Sequence, residues 1–166
     1  MDNILEIRDI STEFAVGKEK IRIVKNVSFD VKKGKILAIV GESGCGKSVT
    51  VPSIINLLPK NGSITSGSSM FERSDGKVLD LTSMKPYGKE MRALRGSEIG
   101  MIFQDPMQSL NPVYTVGNQI MENILQHRKV SKKEARKIGI EMLAKLGIPE
   151  PAKRFDDYPH QFSGGM

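Results

Sequence analysis

Two kinds of hydrophobic pattern alternate along the chain. Apolar and polar residues alternate over residues 4–10 and again over residues 21–31, which predicts antiparallel strands with one face in water. Residues 36–40 and 99–103 are instead almost continuously apolar, a pattern typical of strands that are buried on both faces. The sequence therefore predicts a half-exposed sheet and, in addition, two buried strands.

Helical patterns follow these strands. Residues 49–58 are apolar enough for a buried helix, with Pro52 in its first turn, where proline is tolerated. Residues 116–128 favour a second helix, and Thr115 is its expected N-cap. The tetrad at residues 131–134 has the Ser-x-x-Glu form of a capping box and opens a third helix. Five apolar residues of that helix are expected to face inward before Gly147 ends it: Ala135, Ile138, Met142, Leu143 and Leu146.

Between the first apolar run and the first helix, residues 41–48 spell Gly-x-x-x-x-Gly-Lys-Ser, the P-loop pattern. Glycines let the backbone curl so that its N–H groups converge on phosphate, and the positive end of the next helix adds to the attraction. Lys47 is expected to reach the β- and γ-phosphates, and the Ser48 hydroxyl to bind Mg²⁺. The expected nucleotide-binding residues are Gly41, Glu42, Ser43, Gly44, Cys45, Gly46, Lys47, Ser48 and, through its N–H alone, Val49. The alternative is a glycine-rich turn that begins a helix and binds no ligand.

Composition and charge narrow the function classes. The chain has 166 residues, is 39% hydrophobic and carries a net charge of +6, which suits a protein with a sizeable core. No apolar run is long enough for a membrane span, and the first ten residues do not resemble a signal peptide. The positive charge could suit nucleic acid, a membrane surface or a phosphate ligand, but aromatic residues are only 5% of the chain, so we expect no nucleic-acid partner. The single cysteine, Cys45, excludes an internal disulfide.

Two further polar positions are candidates for the site. Gln104 follows the second apolar run, and ligands of α/β sheets bind at the carboxyl ends of strands. Ser163, Gly164 and Gly165 offer a hydroxyl and unhindered N–H groups to an anion. On pattern alone, Gln104 could equally be an ordinary residue at a strand end, and residues 163–165 a flexible terminus.

Four ordered motifs together resemble one known family. They are the P-loop at residues 41–48, IFQDP at 102–106, SLNPVYTVGNQI at 109–120 and YPHQFSGGM at 158–166. With these motifs the chain resembles the nucleotide-binding subunits of ATP-binding-cassette transporters, and within them the dipeptide and oligopeptide importers. The resemblance covers essentially the whole chain and implies an α/β P-loop NTPase cassette. It divides the chain into an ATP-binding core with an antiparallel β subdomain at residues 1–104 and a helical subdomain at residues 105–166.

The resemblance also implies roles and partners. Lys47 and Gln104 are the expected catalytic residues, Ser48 and Gln104 the expected ligands of Mg²⁺, and ATP the expected nucleotide. Residues 163–165 match the signature motif, which closes over the γ-phosphate held by a second ATPase subunit, identical or not. The other expected partners are transmembrane permease subunits and, indirectly, an extracytoplasmic substrate-binding protein. The expected location is the cytoplasmic face of the membrane, as a peripheral subunit.

Several features depart from the family pattern. The family stacks adenine on an aromatic residue, whereas the corresponding residues 16–20 contain none and the nearest aromatic is Phe14. Phe162 and Met166 stand where leucine and glutamine are common. His127 and His160 precede the signature and do not replace the family's switch histidine.

The sequence also ends before the acidic strand that supplies the family's general base, and before the strands that flank residues 36–40 in the family's sheet. We therefore expect residues 1–166 alone to be inactive and residues 36–40 to lack partners within the chain. Two alternatives remain beside the ATPase subunit: a nucleotide-binding fragment without turnover, and a soluble cassette ATPase not tied to a transporter.

Overall fold

The protein is described by a computed structural model over residues 2–103 and 109–166. The chain forms two compact units, unit 1 within residues 1–98 and unit 2 within residues 99–166. The predicted domain boundary at residue 104 lies outside the described residues, and the roles assigned to the two domains stay a prediction.

Unit 1 is built on an antiparallel sheet of four strands in the order β2-β1-β3-β4. The strands are β1 at Asn3–Val16, β2 at Glu19–Lys32, β3 at Gly62–Glu72 and β4 at Val78–Asp80. Hairpin pairing of β1 with β2 confirms the antiparallel strands that the alternating pattern predicts. Irregular register in the middle of β1 shifts its pairing with both neighbours, which is how a bulge bends a sheet.

Helices occur in both units. They are α1 at Lys47–Ile54 and α2 at Lys89–Ser97 in unit 1, and α3 at Val116–His127, α4 at Lys132–Lys145 and α5 at Pro151–Arg154 in unit 2. Both predicted caps are confirmed, since the Thr115 hydroxyl accepts from Asn118 N–H and the Ser131 hydroxyl from Glu134 N–H. Gly147 ends α4 at φ +77°, as predicted. None of the described helices has the length and apolarity to cross a bilayer.

The prediction of two buried strands is wrong for this structure. Residues 36–40 and 99–103 form no strand, and Ile36, Val40 and Ile102 are 98%, 87% and 92% exposed. A buried strand needs neighbours on both edges, and the strands of the described sheet pair only with one another. Among the described residues no strand pairs with residues 36–40, and the apolar run is exposed rather than held in an incomplete sheet.

Two helices also differ from their predictions. Because α1 begins at Lys47 and ends at Ile54, Pro52 lies in the helix interior rather than in its first turn. Met142 in α4 and Leu146 just after it are 50% and 79% exposed, so the buried face of that helix is narrower than the apolar pattern predicts.

Each unit has its own hydrophobic core. In unit 1 the buried side chains of Ile7, Ile10, Val24 and Ile54 join the sheet to α1. In unit 2 the buried side chains are those of Leu143, Ile148 and Phe155. The core of unit 1 therefore fixes α1, and with it the P-loop, on one face of the sheet.

Candidate functional site

The P-loop at residues 41–48 curls through two glycines in the left-handed region. Gly44 has φ +82° and Gly46 φ +95°, backbone conformations that favour glycine. Gly46 immediately precedes α1, and its carbonyl accepts hydrogen bonds from the N–H groups of Val49 at 3.0 Å and Thr50 at 2.9 Å. The chain thus enters the helix in a single tight turn.

Several N–H groups at this turn are free to bind a ligand. Within the described part of the chain, no acceptor is bonded to the N–H groups of Gly44, Gly46, Lys47 or Ser48. The first turn of α1 contains no acidic residue, and Gly46 has no side chain that could cap it. Unpaired N–H groups at the positive end of a helix form a site for an anion such as phosphate.

The Lys47 side chain lies inside the curve of the loop. Its Nζ is 2.7 Å from the carbonyl oxygen of Gly41, 2.6 Å from that of Glu42 and 3.5 Å from Cys45 Sγ. These acceptors are neutral, and Lys47 forms no ion pair within residues 2–103 and 109–166. The loop therefore holds an unpaired positive charge among free N–H groups, which suits a polyanion.

Cys45 packs against the start of the loop. Its thiol is exposed, but a Cβ atom added to Gly41 would lie 2.8 Å from the Cys45 sulfur, too close for real atoms. An alanine at residue 41 would therefore displace the Cys45 thiol, which can move because it is exposed.

Buried hydroxyl groups attach α1 to the sheet. Thr12 in β1 donates to the Ser53 hydroxyl at 2.8 Å, and Ser53 in turn donates to the carbonyl of Val49 at 2.7 Å. Thr12 and Ser53 are fully buried. Since a buried hydroxyl without a partner is costly, this chain of bonds favours one position of α1 on the sheet.

The far end of α1 is held by residues that the sequence analysis did not identify. The helix ends in a Schellman motif: Asn56 has φ +51° and donates to Ser53 O at 3.1 Å, and Leu57 N–H donates to Pro52 O at 2.8 Å. An asparagine just after an apolar helix is a signal for this ending. The guanidinium of Arg95 in α2 then donates to the last carbonyls, a contact that no local pattern indicates.

Other predicted site residues lie elsewhere or outside the description. Gln104 lies outside the described residues, so its predicted contacts with Mg²⁺ and with water remain a prediction. Ser163, Gly164 and Gly165 are exposed in unit 2, in a turn where Met166 N–H donates to Ser163 O at 2.9 Å. The P-loop belongs to unit 1, and the predicted role of this turn toward a second subunit also stays a prediction.

The aromatic and histidine candidates have ordinary surroundings. The Phe14 ring packs on β3, where a Cβ atom added to Gly62 would lie 3.0 Å from it. His127 is exposed at the end of α3, and the exposed His160 stacks on Tyr158 with ring centroids 5.9 Å apart. No group of three or more acidic, histidine or cysteine side chains that could bind a metal occurs in the described residues.

Comparison with known proteins shows which family the sequence matches. The sequence matches the ABC transporter family over residues 24–166. It is 48% identical to the dipeptide transport ATP-binding protein DppD of Bacillus subtilis, over 100% of this chain and 48% of that protein. It is 47% identical to the oligopeptide transport ATP-binding protein OppD of the same organism, over 98% of this chain and 44% of that protein. The chain thus spans about half the length of the curated relatives that it matches.

Solved structures support the fold. The structure matches that of the ATP-binding cassette MJ0796, described as a dimer in a post-hydrolysis state with ADP and Pi. The TM-score is 0.79 at 24% identity, over 97% of this chain and 64% of that one. The α/β P-loop cassette fold that the sequence predicts is therefore confirmed.

Proposed function

Because the chain belongs to the ABC transporter family, we propose that its P-loop binds the phosphates of ATP and that the protein is the ATP-binding subunit of a peptide importer. The observation that carries the proposal is the Lys47 ammonium, which within the described residues has no carboxylate partner and lies among N–H groups of Gly44, Gly46 and Ser48 that are bonded to no acceptor there. The names of the relatives give peptide transport, and their identities of 43–48% support it here.

The residues of the loop have distinct proposed roles. The N–H groups bind phosphate oxygens, and Lys47 neutralises the charge on the β- and γ-phosphates. The exposed Ser48 hydroxyl is an oxygen donor of the kind that Mg²⁺ prefers, and Gln104 is its proposed companion. When bound, Mg²⁺ would neutralise phosphate charge during attack by water.

Further partners follow from the family. Ser163, Gly164 and Gly165 would close over the γ-phosphate bound by a second ATPase subunit, identical or not. That closing motion would be transmitted to transmembrane permease subunits, with an extracytoplasmic binding protein delivering peptide. The subunit would lie on the cytoplasmic face of the membrane as a peripheral protein.

Titration calorimetry with Mg·ATP tests the phosphate site. Lys47→Ala should weaken binding by at least about 100-fold, since it removes the charged donor proposed to bind the β- and γ-phosphates. Lys60→Ala is the matched control, because Lys60 is also exposed in unit 1 but lies outside the loop. Unchanged affinity in Lys47→Ala would exclude the P-loop as the site.

Hydrolysis is a separate proposal. In the family that the motifs indicate, the general base follows the signature, and residues 1–166 span about half of the relatives' length. We therefore propose that residues 1–166 bind Mg·ATP without steady turnover and that hydrolysis requires a chain that includes the general base. Phosphate release by the 166-residue chain that disappears in Lys47→Ala would contradict this.

A further inference from the structure

Helix α1 has little stability of its own. It contains eight residues, and Pro52 in its interior cannot donate the hydrogen bond that the fourth residue before it would accept. A helix this short is marginal in water even without a proline. The persistence of α1, and of the N–H groups at its start, must therefore come from contacts with the rest of unit 1.

The Arg95 side chain makes several hydrogen bonds at the C-terminal end of α1. Nε and Nη2 donate to the carbonyl of Ile55 at 3.1 and 2.8 Å, and Nη2 also donates to the carbonyl of Asn56. Nη1 donates to the carbonyl of Pro86 at 2.8 Å, in the loop that leads to α2. The carbonyls of Ile55 and Asn56 lie at the negative end of the α1 dipole, where a cation is favourable.

Most of the hydrogen bonds that Arg95 donates go to the C-terminal end of α1. Within the described residues Arg95 forms no ion pair with a carboxylate, and burial lowers the pKa of its guanidinium below the usual value. An Arg remains charged in proteins even so, and its planar fork can serve two carbonyls at once. The charge of Arg95 is therefore balanced chiefly by the end of α1.

Asn56 supplies a second attachment at the same point. Its side chain is buried, and Nδ2 donates to Leu81 O at 3.1 Å and to Met84 O at 2.9 Å. Arg95 and Asn56 together fix the C-terminus of α1 to the segment between β4 and α2. The opposite end of the helix, about 12 Å away at 1.5 Å per residue, carries the P-loop.

We infer that Arg95 is a positioning residue for nucleotide binding: by holding the C-terminus of α1, it keeps the first turn of that helix formed and its N–H groups aimed into the P-loop. The inference rests on the proposed function, since it assigns Arg95 a role in the same site. Arg95 does not touch the loop. Its effect passes along α1, because a helix of eight residues with an internal proline is marginal on its own, so its first turn depends jointly on the attachments at Ser53, Asn56 and Arg95.

Hydrogen exchange without nucleotide tests the structural half of the inference. The N–H groups of Val49 and Thr50, which bond to Gly46 O at the loop end of α1, report on its first turn. In Arg95→Met they should exchange about tenfold faster than in the wild type, and in Arg95→Lys about threefold faster, since a lysine keeps the charge but loses the fork. Arg92→Met is the control, because Arg92 is exposed on the same helix, and its exchange should match the wild type.

Titration with Mg·ATP, at a temperature where every variant is folded, tests the functional half. Arg95→Met should weaken binding about tenfold, with Arg95→Lys intermediate and Arg92→Met within about twofold of the wild type. A merely structural role would lower the thermal midpoint of Arg95→Met and leave its Kd unchanged. If Arg95→Met does not fold, Arg95→Lys carries the test with the same criteria.

The two measurements separate the possible failures. Faster exchange confined to Asn56 and Leu57, with Val49, Thr50 and the Kd unchanged, would overturn the inference. If the wild type does not bind Mg·ATP, the proposed function fails, and exchange at Val49 and Thr50 alone then decides whether Arg95 positions the loop. Faster exchange at Val49 and Thr50 together with weaker binding supports both.

Discussion

The N-termini of α1 and α3 differ in what their first N–H groups meet. In α3, Val116 N–H donates to Asp157 O at 2.9 Å, Gly117 N–H to Phe155 O at 2.7 Å, and Asn118 N–H to the Thr115 hydroxyl. In α1 no acceptor within the described residues is bonded to the N–H groups of Lys47 and Ser48, and the residue before the helix is a glycine. Every helix begins with unpaired N–H groups, so the difference lies in what the protein places beside them.

This contrast distinguishes a helix N-terminus whose N–H groups are bonded within the protein from one whose N–H groups are available to a ligand. At α3 the chain itself returns at residues 155–157 and fills the positive end, which stabilises unit 2. At α1 nothing in the described residues fills it, and the cost of leaving these groups to water is small because they are at the surface. A positive helix end is therefore a candidate anion site only where the protein has left it open, as it has at α1.

The largest effect should come from disturbing the closed helix start. The Phe155 ring lies directly against Gly117, and a Cβ atom added there would overlap both the ring and the Phe155 carbonyl. Gly117→Ala should lower the free energy of unfolding by about 3 kcal/mol, because neither the ring nor the backbone can move aside in a packed core. Urea unfolding followed by circular dichroism measures this. Gly100→Ala adds a methyl group where nothing lies within 4 Å and should change stability by less than about 0.5 kcal/mol.

The next largest effect concerns Mg·ATP binding at the P-loop, where the N-terminus of α1 is open. Gly44 and Gly76 both have φ +82° and open space around them, so alanine at either position adds the same backbone strain. Only Gly44 lies in the P-loop, and Gly44→Ala should weaken Mg·ATP binding at least about tenfold by turning N–H groups away from the phosphates. Gly76→Ala, in the turn before β4, should bind Mg·ATP as the wild type does. Equal affinities in calorimetry would mean that the left-handed loop conformation is not needed for binding.

Removing the N-cap hydroxyl of Thr115 should change the free energy of unfolding by a smaller amount. Thr115→Ala leaves Asn118 N–H without its acceptor and should lower the free energy of unfolding by about 1 kcal/mol. Thr115→Ser keeps the hydroxyl and should recover most of that loss. Chemical denaturation of both variants decides, and a full loss in Thr115→Ser would show that the methyl group rather than the cap matters.

The features that the sequence predicted are local ones. The hairpin of β1 and β2, the caps at Thr115 and Ser131 and the start of α1 at the P-loop each depend on residues a few positions apart. Helix α1 ends earlier than predicted because Asn56 adopts a left-handed conformation, which the sequence permits but does not require.

The features that it missed depend on distant residues. Arg95 bonds to carbonyls about 40 positions earlier in the chain, and no periodicity encodes that pair. The apolar run at residues 36–40 has the composition of a buried strand, yet a strand forms only beside another strand, and no strand of the described sheet pairs with it. Composition thus predicts that a segment can form a strand, whereas the presence of a neighbouring strand determines whether it does.

The smallest effect concerns pH and the segment that closes the start of α3. Both carboxylate oxygens of Asp156 accept from the Arg136 guanidinium at 2.7 Å, and that guanidinium also lies 5.0 Å from the centre of the Phe155 ring. The bond to Arg136 lowers the pKa of Asp156 below its usual value. A lowered folded-state pKa means that the pair contributes stability above the unfolded pKa and loses it as pH falls through the folded one.

Asp156→Asn should therefore cause a slight loss of stability at neutral pH that diminishes as the pH falls through the lowered folded-state pKa of Asp156, where the wild-type carboxylate becomes protonated as well. The effect stays small because Asp156 is 62% exposed and water screens the pair. Urea unfolding at a series of pH values measures the difference between variant and wild type, with Glu122→Gln as the control because Glu122 is exposed on α3. A difference that persists unchanged at acid pH would show that Asp156 acts by its shape. The first turn of α1 contains no acidic residue, so hydrogen exchange at the start of α1 should not change over this acid range in the way that the stability of the Asp156 pair does.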